Sequence, residues 1–249
     1  ASSVSEAVSL LFFIIYTSIT ADKRKYGFRR AFTLLPHLLK GMLSISGWTM
    51  VQSFISVSIW FIFFLAIEHL GERPLAVTNI VRNISALLIM VISAFATTAG
   101  ALISNQIGAG EQRCLFKTCG MTLKLTYAIL IPLLIILCLF PEPVLRAFTD
   151  SPSLIAASVN SVYVMASSTL IMAPSFILFN AVSGTGNTKA GFIMEMISLA
   201  VYTAVIYYGI IRLKPDVALC WFSEHVYGVT LIFLAWWYLK SGKWRGKKV

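Results

Sequence analysis

The chain has 249 residues, 58% of them hydrophobic and 12% charged, with a formal net charge of +10. A water-soluble domain carries about 45–50% apolar and about 25% charged residues, so this composition excludes an ordinary soluble enzyme or binding module and points to lipid as the solvent. The basic residues sit in short clusters between apolar runs, without the interleaved aromatics of a nucleic-acid module, so no nucleic-acid partner is expected.

In chain order, a weak apolar run first covers about 4–20. No basic stretch precedes it, so it reads as a transmembrane helix cut short rather than as a signal peptide, and the chain as a fragment or processed product. Residues 1–20 are therefore a partial transmembrane helix. Residues 21–40 form a basic linker in which Phe28, Phe32, Leu35, Leu38 and Leu39 recur at partly helical spacing. The spacing predicts a partly amphipathic helix on the cytoplasmic membrane surface. Residues 41–240 predict a six-helix transmembrane bundle, with runs near 42–67, 82–107, 121–140, 154–183, 192–212 and 218–239. Each approaches or exceeds the roughly 20 residues needed to cross a bilayer, and strand periodicity is absent. Residues 241–249 form a basic cytoplasmic tail. The predicted fold is an all-α polytopic membrane protein.

Loop charge orients the bundle. Of the 20 basic residues, Arg73, Arg82, Arg146, Arg212 and Lys214 fall on one side, and the remainder, from Lys23 to Lys248, on the other. The richer side is expected to be cytoplasmic, which places the C-terminus inside.

Polar residues mark helix faces. In the second full run, Ala86, Met90, Ser93, Thr97, Gly100 and Ser104 step by three and four. In the first, Ser46, Thr49, Ser53 and Ser56 make a similar stripe, with Gln52 beside it. Such stripes either let helices approach closely or line a polar cavity. Gln52 must be hydrogen-bonded across helices or line water or substrate. Pro132 and Pro174 lie inside predicted helices and invite kinks.

Ionisable groups within the apolar runs are few, and such groups are costly in a bilayer. Glu195 falls near the start of its run. There it is either an interfacial charge at a helix N-terminus or a proton or cation site facing the bundle interior. Arg82, just inside its run, is expected to pair with Glu68, Glu72 or Glu224 on the outer face, as a structural or gating ion pair or in contact with substrate. No hydrolase, phosphate-loop or zinc motif occurs, so no catalytic residue is expected. The histidines and the four cysteines show no metal spacing. The cysteines read as small packing residues.

Two segments carry a family resemblance. The run Ala101-Leu-Ile-Ser-Asn-Gln-Ile-Gly-Ala-Gly-Glu111 resembles the cytoplasmic end of the second helix in each half of multidrug and toxic compound extrusion (MATE) transporters. Asn180-Ala-Val-Ser-Gly-Thr-Gly-Asn-Thr-Lys189 resembles the small-residue turn between the fourth and fifth helices of a half. The resemblance implies helices six to twelve of a twelve-helix transporter, so that the bundle is one lobe of the fold and the N-terminal six-helix lobe is its partner, in the bilayer of a cell membrane such as the bacterial inner membrane. It implies export of small organic, often cationic compounds by alternating access, coupled to Na⁺ or H⁺ and needing no bound cofactor. The cavity-lining candidates are then Gln52, Ser53, Ser56, Ser93, Thr97, Ser175 and Asn180, with Glu195 as ion-coupling candidate. Gln52 stands near the place where sodium-coupled relatives commonly carry an acid, and 154–183 holds none. The alternative within the same superfamily is a lipid-linked saccharide flippase, which would need a more basic cavity. A retinal-type receptor would need a lysine deep in its last helix. An intramembrane protease would need mid-membrane aspartates. The apolar runs hold neither.

Overall fold

The computed structural model describes residues 2–20 and 36–245, and all of its regular structure is helical among the described residues. The predicted amphipathic helix of the linker falls largely on 21–35, and the end of the basic tail on 246–249, both outside the described residues. The chain divides into two units, Ala1–Ile45 and Ser46–Val249. The first contains α1 (Ser2–Thr20), whose side chains from Leu10 to Tyr16 are about half exposed or more. Helix α2 (Pro36–Glu68) contributes its Ser46–Glu68 portion to the second unit.

The second unit is a helical bundle. It continues with α3 (Glu72–Gly108), α4 (Leu115–Leu139), the short α5 (Pro141–Arg146), α6 (Pro152–Gly184), α7 (Thr188–Val205), the short α8 (Val217–Cys220) and α9 (Ser223–Ser241). Among the described residues, six segments are long and apolar enough to cross a membrane, with mean hydropathy from 1.5 to 2.3. Large side chains such as Phe54, Phe61, Leu139 and Trp237 are more than 60% exposed. That much apolar surface would aggregate in water but matches a bilayer solvent.

Several helices start earlier than hydropathy suggests, each for a local reason. Helix α3 begins at Glu72 because Pro74 occupies its first turn, where backbone N–H groups have no helical partner to lose. Helix α4 begins at Leu115 because its polar residues are satisfied within the bundle. Thr118 donates to Gln106 Oε1 at 2.9 Å, Thr122 to the Thr118 carbonyl, and Thr126 to the Thr122 carbonyl. Helix α7 begins at Thr188 because the Asn187 side chain caps it, accepting from the Ala190 N–H at 3.3 Å. At its other end, α7 runs on into a π-helical turn, Ile206–Arg212.

Helix α6 is the axis of the bundle, packing against α3, α4, α7 and α9. At one level α3 and α6 meet backbone to backbone. A methyl group on Gly184 would stand 2.5 Å from the Gly100 carbonyl oxygen, and one on Gly100 would stand 2.9 Å from that of Asn180. Small residues thus serve close helix approach here. Pro174 sits inside α6 without ending it. A proline has no N–H for the carbonyl four residues earlier, here that of Leu170. The Tyr127 hydroxyl, from α4, donates to that carbonyl at 2.7 Å. All four cysteines are free thiols, and Cys119 and Cys220 are buried in the core.

Candidate functional site

Helices α2, α3, α6, α7 and α9 line a partly open cavity of about 330 Å³. Its polar lining comes from Ser56, Ser93, Thr97, Asn180, Glu195, Tyr202, Glu224 and Tyr227, and its aromatic lining from Trp60, Phe176 and Phe179. No lysine or arginine lines it among the described residues.

Its chemistry centres on two carboxyl groups. Helix α7 carries Glu195 and Tyr202, seven residues apart, and α9 carries Glu224 and Tyr227, three apart. Both spacings put acid and phenol on one helix face. The two helices run in opposite directions, so each acid meets the tyrosine of the other helix. Tyr227 donates to Glu195, at 3.0 Å to Oε1 and 3.1 Å to Oε2. Tyr202 donates to Glu224 Oε1 at 2.8 Å. The two phenol rings pack edge to face with centroids 5.8 Å apart. Glu195 has a second partner, Ser56 on α2, whose hydroxyl donates to Oε1 at 2.7 Å. Glu195 is 4% exposed and Glu224 8% exposed. Buried acids of this kind need hydrogen-bond donors, and the crossed tyrosines supply them.

Of the residues expected to line a cavity, Ser56, Ser93, Thr97 and Asn180 do so. Gln52 and Ser53 lie outside the lining, nearer the α2 end away from Glu68, with Ser53 exposed. Ser175 is fully buried, and its hydroxyl has no hydrogen-bond partner. It is turned away from the cavity, about 100° around α6 from Phe176 and about 140° from Asn180.

Glu195 is not an interfacial helix-start charge. The helix begins at Thr188, so Glu195 sits two turns inside, and Asn187 performs the capping. The expected outer ion pair does not form. Glu224 is buried and bonded to Tyr202, while the Arg82 guanidinium lies 5.2 Å from the Phe64 ring centroid. The cause is the early start of α3. Beginning at Glu72, the helix carries Arg82 about 15 Å along its axis, away from the end where the exposed Glu68 and Glu72 stand. Arg82 instead lines a groove beside Ser56, Trp60 and Phe64 that adjoins the cavity.

Sequence reasoning did not single out Tyr202, Tyr227, Trp60, Phe176 or Phe179. The available signal was a phenol three or seven residues from each acid, on the same helical face.

A family model described as MatE matches residues 38–208. No curated protein matches the sequence. Among solved structures, the chain resembles the Vibrio cholerae MATE transporter VcmN in a bent form, with TM-score 0.75 and 16% identity over 84% of this chain and 48% of that one. It also resembles an outward-facing multidrug resistance MATE family transporter of the MOP superfamily, with TM-score 0.72 and 14% identity over 82% and 46% of the two chains. A MOP superfamily transporter from Pyrococcus furiosus, described as having a binding pocket of reverse polarity that suggests a different function, matches with TM-score 0.71 and 14% identity over 80% and 44%. The chain thus spans somewhat under half the length of each of these proteins.

Proposed function

Because this chain belongs to the MatE family, we propose that it builds one lobe of a secondary active efflux transporter that exports small organic cations in exchange for Na⁺ or H⁺. The observation that carries the reading is the cavity with two buried acids, each donated to by a tyrosine of the facing helix, and no basic group in the lining among the described residues. A buried carboxylate beside aromatic faces favours a cation through charge and ring quadrupole together.

Glu195 is the coupling group in this reading. Its Oε1 already accepts from Ser56 on α2 and from Tyr227 on α9. A proton or Na⁺ arriving there competes with those donors and weakens the link between α2 and α7. Release of the ion restores it. Ion occupancy thereby biases the packing of a helix that lines the cleft, which is what alternating access requires. Glu224, held by Tyr202, is the counter-charge for the substrate. The saccharide flippase reading needs a basic chamber, whereas Arg82 lies in the adjoining groove.

The test is efflux of a fluorescent organic cation from liposomes holding the full-length protein, under imposed Na⁺ or H⁺ gradients. Glu195→Gln is expected to abolish gradient-driven efflux while substrate binding persists. Glu224→Gln, which keeps an acceptor for Tyr202, is expected to weaken substrate binding roughly ten- to a hundredfold, the worth of one charged contact. Undiminished coupled efflux in Glu195→Gln, or none under either gradient in the unaltered protein, would overturn the reading.

A further inference from the structure

A second recess lies between α7 and α9, distinct from the cavity, with a volume of about 220 Å³. Its apolar wall includes Ile193, Ile197, Leu234 and Trp237, and Lys243 is also among its lining residues. Ile193 and Ile197 each lie roughly 160° around α7 from Glu195, so the groove opens on the flank away from the cavity. Ile193, Ile197 and Trp237 are 47%, 45% and 63% exposed, an apolar surface of the kind that suits contact with lipid.

The position of Lys243 is set by its neighbours. Helix α9 ends at Gly242, whose φ of 68° turns the chain in the left-handed region. Trp244 then inserts into the core at 2% exposure, and its indole N–H donates to the Leu239 carbonyl at 2.9 Å. Lys243, between them, is held at the groove instead of trailing from the helix end. The two helices are tied at the same level, where the Asn187 amide donates to the Tyr238 hydroxyl at 2.6 Å. Lys189 and Lys240 belong to this end as well, with the Lys240 ammonium 4.6 Å from the Trp236 ring centroid. No carboxylate lines the groove among the described residues.

An apolar recess walled by exposed isoleucine and tryptophan side chains, with a lysine among its lining residues, matches an amphiphile with an apolar chain and an anionic head. We infer that this groove seats one acyl chain of an anionic phospholipid, with its phosphate against Lys243. Basic recesses between helices at the membrane surface suit such headgroups. The site is independent of the transport reading and would stand if that reading failed.

The experiment is native mass spectrometry of the purified full-length protein exchanged into equal amounts of phosphatidylglycerol and phosphatidylcholine. The unaltered protein is expected to retain phosphatidylglycerol about fivefold over phosphatidylcholine, the factor for one basic group at an anionic surface. Lys243→Gln is expected to remove that preference and Lys243→Arg to keep it. Ile197→Trp, which fills the slot, is expected to lower retention of both lipids. Lys240→Gln is expected to leave the preference intact. Equal retention of the two lipids by the unaltered protein, a preference surviving Lys243→Gln, undiminished retention in Ile197→Trp, or a loss in Lys240→Gln matching that in Lys243→Gln would each overturn the inference.

Discussion

Pro174 and Tyr127 show how a single residue shapes its surroundings in a bilayer. The proline ring denies the Leu170 carbonyl its helical partner, and hydrocarbon offers no water to replace it. A phenol from α4 fills the vacancy at 2.7 Å and thereby ties α4 to α6. Tyr127→Phe should lower stability by about 1 kcal/mol, the order found for hydrogen bonds between membrane helices. The same substitution in a Pro174→Ala background should cost less, because the alanine restores the backbone donor. Thermal unfolding of the four proteins in detergent gives the coupling, and equal costs in both backgrounds would refute the assignment. The proline was visible in the sequence as an invitation to kink. Its partner on another helix was not, because nothing local to Tyr127 distinguishes it from a lipid-facing tyrosine.

Among the elements, α3 and α6 depend on glycine where they cross. A methyl group at Gly184 would meet the Gly100 backbone, which cannot rotate away as a side chain can. Gly184→Ala should therefore destabilise by about 1–3 kcal/mol, the usual cost of overpacking. Gly120, inside α4, has open space around its Cβ direction, so Gly120→Ala should stabilise by up to about 1 kcal/mol through helix propensity. Midpoint temperatures of the two variants should move in opposite directions. The small-residue stripe of the second full run was legible as a period of three and four. That Gly100 serves close approach while Ser93 and Thr97 line the cavity depended on where α6 lies. The helix starts were less legible. Capping by Asn187 and threonine bonds to backbone carbonyls lengthen α7 and α4 into sequence that hydropathy alone assigns to loops.

At the scale of the bundle, the six membrane-length helices among the described residues alternate their loops between two faces, and the basic loops gather at the end that holds Asn187 and Tyr238. We propose that this end is cytoplasmic. In a background with the four cysteines replaced, a membrane-impermeant maleimide added to intact cells should label Asp216→Cys and spare Ser241→Cys. Permeabilised cells should label both. Labelling of Ser241→Cys in intact cells would reverse the orientation.

The apolar runs by themselves determined the solvent, the helical class and the number of spans in the bundle, because length and hydropathy are properties of each segment alone. They also marked Glu195 as a group out of place in lipid. Only the tertiary structure decided which donors meet that acid. It crossed Glu195 with Tyr227 and Glu224 with Tyr202, left Gln52 outside the cavity, and separated Arg82 from the carboxylates expected to pair with it. The reason is geometric. A side chain's partner in a bundle is set by the starting point and rotation of two helices distant in sequence. A shift at a helix start, such as the roughly ten residues by which α3 begins early, moves a charge from the membrane edge to the wall of a groove.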